Sequence, residues 1–246
     1  MSETTIRAST EDGQVDARLF LPDEGEGPWP LVVFYVDAGG LRPAMSGMGE
    51  RLAKAGYAVL QPNPFWRAEP YEPFDPRTMF RDPEERARLM KLLGTVRPEA
   101  VIADTKALVA SLESDRRIDA SRIGMVGYCM GGRLAFIAAG AWPERVVAAA
   151  SIHGGGLVSD AEDSPHRAAG RIRAALYFGV ADQDSSCTEE HQRALREALD
   201  QAGVEYELEL YPGARHGFAA PDFPVFDRAA SERHWERVLD LFERNL

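Results

Sequence analysis

Residues 122–140 read RIGMVGYCMGGRLAFIAAG. An apolar, strand-like run enters a glycine-flanked turn, and a helix-like apolar run leaves it. A strand that feeds directly into a helix can bury both of its faces only inside a layered α/β structure. The rest of the chain repeats this alternation. Pro30–Asp37, Tyr57–Asn63, Arg145–Gly154, Ala174–Ala181 and Glu205–Pro212 read as strands. Ala44–Gly56 reads as a helix ended by its glycine. Val101, Leu108, Val109 and Leu112 share one helical face, as do Leu195, Ala198, Leu199 and Ala202. Trp235, Val238, Leu239 and Phe242 mark a last helix by their i, i+3, i+4, i+7 spacing. At the front, TTIRAST and VDARLFLP flank Asp12-Gly13, a hairpin signal. The pattern predicts a mostly parallel central sheet with helices on both faces and an N-terminal β-hairpin, in one domain over residues 1–246.

Between the second buried strand and Pro98 the pattern lapses. Pro64, Pro70, Pro73, Pro76 and Pro83 are interspersed with Phe65, Trp66, Tyr71, Phe74 and Phe80. Prolines at that density interrupt regular structure, so 64–97 is expected to form an irregular excursion over one end of the sheet. Its aromatics are candidates for a pocket wall; Trp66 among them and Phe218, beyond His216, are the first to test. The sign-alternating run Arg81–Arg88 reads as a solvated helical face.

The chain carries a formal charge of −11 and shows no basic footprint, which argues against nucleic acid as a partner. No apolar run approaches the ~18 residues of a membrane span, and the first residues lack a secretory pattern. The expectation is a cytoplasmic protein, monomer or homodimer, without a membrane association. Two cysteines, Cys129 and Cys187, make no disulfide framework, and neither stands at zinc-ligand spacing from a histidine pair; no metal or other cofactor is expected.

The turn itself carries the chemistry. Gly127 and Gly131 lie two residues either side of Cys129, giving the G-x-nucleophile-x-G elbow with cysteine in the nucleophile position. A nucleophile at the tip of a sharp strand-to-helix turn needs neighbours without a Cβ. The helix that starts there favours a thiolate and an oxyanion, and the Met130 N–H is a natural oxyanion donor. A free cysteine is more often a small buried hydrophobe; the strand–turn–helix setting argues for a nucleophile instead.

A thiol nucleophile needs a base, and the base an orienting acid. Of the five histidines, His191 and His234 fall in predicted helices among charged residues and read as solvated, His166 lies in a polar insertion, and His153 follows a strand that precedes any acid candidate. His216, after the last strand, satisfies the order nucleophile, acid, histidine of the α/β-hydrolases. Asp182 and Asp184, after the preceding strand, both qualify as the acid.

From PLVVFYVDAGG through GYCMGG to GARHGF the chain resembles the dienelactone hydrolase family, carboxymethylenebutenolidase-like α/β-hydrolases. The resemblance implies an α/β-hydrolase fold and a small ester or lactone substrate, with Cys129 as nucleophile, His216 as base and Asp184 in preference to Asp182 as the acid. It further implies that Ala38 completes the oxyanion hole with Met130. Asp37 stands where the family has a glutamate that holds the resting thiol. The arginine that dienelactone-cleaving members place after the histidine is replaced here by Ala219 and Ala220, and Arg42, Arg81 or Arg86 are the candidates for its charge. The alternatives are thioester or peptide cleavage or acyl transfer at the same site, or a redox-sensing or ligand-binding relative without activity.

Overall fold

The computed structural model describes residues 2–68 and 70–246. Its centre is an eight-stranded sheet in the order β1-β2-β4-β3-β5-β6-β7-β8. β1 (Ser2–Thr10) and β2 (Gly13–Leu21) form the expected hairpin, turning at Gly13, whose φ of +140° suits glycine. β2 then pairs antiparallel with β4 (Ala58–Pro62). From there every neighbour is parallel: β4 with β3 (Trp29–Tyr35), β3 with β5 (Ile118–Tyr128), then β6 (Val146–Ile152), β7 (Ala175–Gln183) and β8 (Tyr206–Arg215).

The sheet separates two apolar layers. On one side α3 (Pro98–Leu112), α4 (Met130–Ala141) and α5 (Glu189–Ala202) pack Leu108, Leu134, Ala138, Leu195 and Leu199 against Leu31, Val33, Met125 and Phe178. On the other, α1 (Pro43–Lys54) and α6 (Arg228–Asn245) cover Val32, Phe34, Val126 and Tyr177 with Leu52, Trp235, Val238 and Phe242. The alternating faces of the central strands explain their nearly continuous apolar runs, since both sides are covered.

The excursion is more ordered than the proline density predicts. It holds a helix, α2 (Pro83–Leu93), whose start is written in the sequence: Asp82 accepts the N–H groups of Glu84 and Glu85, and Pro83 occupies the first turn. Phe65, Phe74, Met79, Leu89 and Leu92 form a third small core beside Ala38. Among the described residues no helix is long and apolar enough to cross a membrane.

Chain order fixes where chemistry can sit. After β3 the chain returns to one side as β4, and after β4 it crosses to the other side as β5. Ligands in such sheets bind beyond the carboxyl ends of strands near this reversal. Residues 37–38 follow β3, Cys129 follows β5, His153 follows β6, Asp184 follows β7 and His216 follows β8.

Candidate active site

Cys129 occupies the residue between β5 and α4, with φ 55° and ψ −116°. This conformation is costly for a side chain bearing a Cβ, on the order of 1–3 kcal/mol. The surroundings hold it in place. The Cys129 N–H donates to Ile152 O (3.0 Å), and its own carbonyl accepts from Gly132 N (3.0 Å). The two elbow glycines are steric requirements: a Cβ on Gly127 would lie 1.9 Å from Gly131 O, and one on Gly131 would lie 2.2 Å from Tyr35 O.

His216 Nε2 lies 3.0 Å from Cys129 Sγ, and His216 Nδ1 lies 2.7 Å from Asp184 Oδ2. Asp184 is buried and its other oxygen accepts from Ser186 N (2.8 Å) and Ser186 Oγ (2.6 Å). Asp182 points elsewhere, accepting from the Gly213 N–H at 3.0 Å. Burial pulls the His216 pKa down, but Cys129 and Asp184 outweigh it and raise the pKa to about 10. Burial likewise pushes Asp184 up, and its bonds to His216 and Ser186 reverse this and hold it below the ordinary carboxylate value. The three groups form one hydrogen-bonded chain centred on His216. Cys187 is a different thiol: burial, then the nearby Asp184 carboxylate, raises its pKa to about 11.

Met130 and Ala38 line the same cavity as Cys129 and His216. Met130 is the first residue of α4, so its N–H has no carbonyl one turn behind it. The cavity is open and measures about 1170 Å³.

Three expected contacts are absent from the site. Asp37 does not hold the thiol. Its carboxylate is buried, accepts from Gly39 N (2.8 Å), and is gripped at both oxygens by Arg42 (2.6 and 2.8 Å). Arg42 also binds Asp222, at 2.6 and 3.0 Å. Arg42 is therefore committed inside an ion triad that ties the loop after β3 to the loop after His216. Trp66 does not wall the cavity: its indole donates to Asp104 (2.8 Å), and its ring covers Gly13 of the hairpin and stacks with Arg67. Phe218 is fully buried, stacked on Tyr211 (4.8 Å) and in a T-shaped contact with His153 (5.4 Å), beneath the site. Of the excursion's aromatics Phe80 reaches the cavity, and Phe223 joins it from the loop after His216. Arg81 lines the cavity; Arg86 is exposed and does not.

His234 is not solvated. It is fully buried, and its Nε2 meets the Tyr128 hydroxyl at 3.1 Å. Burial lowers its pKa to about 3. His153 lies under His216 with ring centroids 5.2 Å apart, and neither of its ring nitrogens finds a partner among the described residues. Burial, with His216 next, lowers its pKa well below the ordinary value. Ser186 is not apparent from motif order, although Asp184-Ser185-Ser186 carries an Asx-turn signal.

The profile of the Dienelactone hydrolase family matches residues 15–246. A carboxymethylenebutenolidase from Pseudomonas sp. (strain P51) is 29% identical over 233 residues, covering 94% of this chain and 91% of that protein. Among solved structures, the "Putative Dienelactone Hydrolase" from Klebsiella pneumoniae subsp. pneumoniae MGH 78578 superposes with a TM-score of 0.84 over 99% of both chains at 23% identity. The dienelactone hydrolase-like promiscuous phosphotriesterase P91 from metagenomic libraries gives 0.77 at 21% identity, over 100% of this chain and 99% of that one. At these identities the structural likenesses speak for the fold.

Proposed function

The chain belongs to the dienelactone hydrolase family of hydrolases, and on that premise we propose that it opens ester or lactone bonds through a thioester on Cys129. The observation that carries the reading is the unbroken hydrogen-bonded series Sγ–Nε2, Nδ1–Oδ2 from Cys129 through His216 to Asp184, at 3.0 and 2.7 Å. A cysteine that serves only as a redox sensor needs neither an ordered base nor an acid behind it.

The sulfur, paired with the His216 imidazolium, attacks the substrate carbonyl. The carbonyl oxygen takes up the negative charge and is stabilised by the N–H groups of Met130 and Ala38. As the C–O bond breaks, His216 Nε2 gives its proton to the leaving alkoxide. Water then attacks the thioester and passes a proton to His216; the acyl–sulfur bond breaks, releasing the carboxylic acid and restoring the hydrogen-bonded Cys129–His216 pair. Asp184 stays ionised throughout and, braced by Ser186, keeps Nδ1–H donated so that Nε2 faces the sulfur. With Asp37 committed to Arg42, the resting thiol is held by His216 itself. A reducing compartment such as the cytoplasm suits a thiol in this role.

The test is 4-nitrophenyl acetate followed by nitrophenolate release and intact mass. Turnover with a transient acyl adduct that Cys129→Ala abolishes is expected. Iodoacetamide at neutral pH should label Cys129 and spare Cys187. Sustained turnover by Cys129→Ala, or no turnover by wild type on esters, lactones and thioesters alike, overturns the reading.

A further inference from the structure

The cavity runs from His216 along α4. Around His216 its lining is mixed: Gln183, Ser185, Ser186 and Arg215 are polar, and Phe223 and Val225, beside Gly217, are apolar. Away from His216 it follows one face of α4, where Met130, Leu134, Ile137 and Ala141 succeed each other at helical spacing. Leu93 and Val96, from the end of α2 and the link to α3, and Ala168 and Ile172, beside the sheet's last crossover, extend this arm, and it is bordered by Arg133 of the same helix and by the exposed Arg97, Glu99 and Arg171. α4 has 12 residues, so the arm runs for about 18 Å from the elbow.

The outer rim carries a second, independent mark. The large hydrophobic side chains exposed among the described residues are Phe80 (45%), Met90 (55%) and Leu210 (43%), and the first two line this cavity. Solvent-facing apolar side chains gathered at the mouth of a cleft signal a ligand surface more than a folding requirement. The volume also exceeds what a compact lactone needs, since drug-sized ligands occupy roughly 300–1,000 Å³.

The two halves have assigned partners in the reaction. The leaving alkoxide receives its proton from His216 and so departs on the His216 side. The acyl portion must then lie on the other side of the sulfur. We propose that the α4 arm binds a straight, apolar acyl chain, its carbonyl at Cys129 and its tail directed past Ile137 toward Met90. At ~1.2 Å per bond along an extended chain, the arm accommodates on the order of ten carbons. This rests on the ester-hydrolase reading and specifies its substrate class: esters of medium- to long-chain acids.

The experiment is kcat/KM for 4-nitrophenyl esters from acetate to dodecanoate. Each fully buried methylene is worth roughly fourfold, so even a loosely gripped chain gives octanoate about a tenfold advantage over acetate. Ile137→Trp, which blocks the arm, and Met90→Glu, at a position exposed enough to tolerate charge, should both reduce that octanoate-to-acetate ratio; Leu210→Ser, outside the cavity, should leave the ratio as it is. A flat or falling series in the wild type overturns the proposal while leaving the hydrolase reading intact. A binding readout separates the opposite failure. In Cys129→Ala, 2-decanone should raise Tm more than 2-butanone at equal concentration, and Ile137→Trp should remove the difference. Chain-dependent binding without turnover of any ester sustains the arm and refutes the hydrolase; equal shifts refute the arm.

Discussion

Asp184 presents its carboxylate to the His216 ring, while Asp182, two residues earlier, gives its own to the Gly213 N–H. Both are acidic residues after the same strand, and sequence alone ranks them only through resemblance. The difference predicts a ranking of variants. Asp184→Asn keeps the shape but removes the charge that fixes the Nδ1–H tautomer, and should lower kcat by about 10²–10⁴. Asp182→Asn, at the exposed end of the strand, should stay within about threefold. A second readout follows from the sign of the shift. Asp184 helps raise the His216 pKa to about 10, so removing its charge lets that pKa fall. In the proposed mechanism His216 is protonated when the alkoxide leaves, so the alkaline limb of kcat/KM in Asp184→Asn should move to lower pH. Equal losses in the two variants, or an unmoved limb, would reassign the acid. The legibility of this site follows the same line. Cys129 and His216 are readable because a backbone turn and a chain order constrain them. The directions of Trp66, Phe218 and Asp37 are not readable in the same way because a side chain's direction depends on partners remote in sequence: Asp104, 38 residues from Trp66, Tyr211 and His153 for Phe218, and Asp222, which shares Arg42 with Asp37.

At the level of elements, alternation of buried runs with amphipathic segments suffices to read the sheet, its hairpin and its flanking helices. Charge alternation over Arg81–Arg88 reports the helical character of α2 but not its bounds, which the Asp82-Pro83 start sets at Pro83–Leu93. Local periodicity leaves the ion triad invisible. Arg42, in the loop before α1, bridges Asp37 after β3 and Asp222 beyond β8, locking two loops that border the cavity. Asp37 is 2% exposed, so its charge depends on Arg42. Arg42→Met should cost about 3–5 kcal/mol, because it leaves a buried carboxylate uncompensated. Adding Asp37→Leu should restore part of that loss, since a buried pair replaced by apolar groups is far less costly than a broken one. Urea unfolding of the two singles and the double closes the cycle; strictly additive losses would mean the two residues do not act as a pair.

For the whole molecule, His216 and the two buried histidines, His153 and His234, pull stability in opposite directions with pH. His216 is the raised group: its folded pKa of about 10 lies above the ~6.5 of an unfolded histidine. Its contribution is complete below pH ~6.5 and is lost as pH rises toward 10. His153 and His234 are the lowered groups, His234 to about 3, both through burial first. The unfolded chain binds protons at these two sites before the folded one does, so their contribution is complete above pH ~6.5 and is lost as pH falls. Asp184, also lowered, adds to the acid loss below the ordinary carboxylate value of ~3.9. Opposing this, the net charge of −11 relaxes as acids protonate, but at ~0.15 M salt the Debye length is about 8 Å and separated surface charges are largely screened. The three histidine sites therefore dominate, and unfolding free energy should peak near pH 6.5. Each histidine changes the slope by at most about 1.4 kcal/mol per pH unit, so the acid side, with two, should be the steeper. His234→Gln, which can still bond the Tyr128 hydroxyl, should flatten that side by about one proton's worth. Urea midpoints from pH 4.5 to 9 in wild type and His234→Gln decide it: parallel acid limbs in the two proteins would show that His234 takes up a proton as readily folded as unfolded.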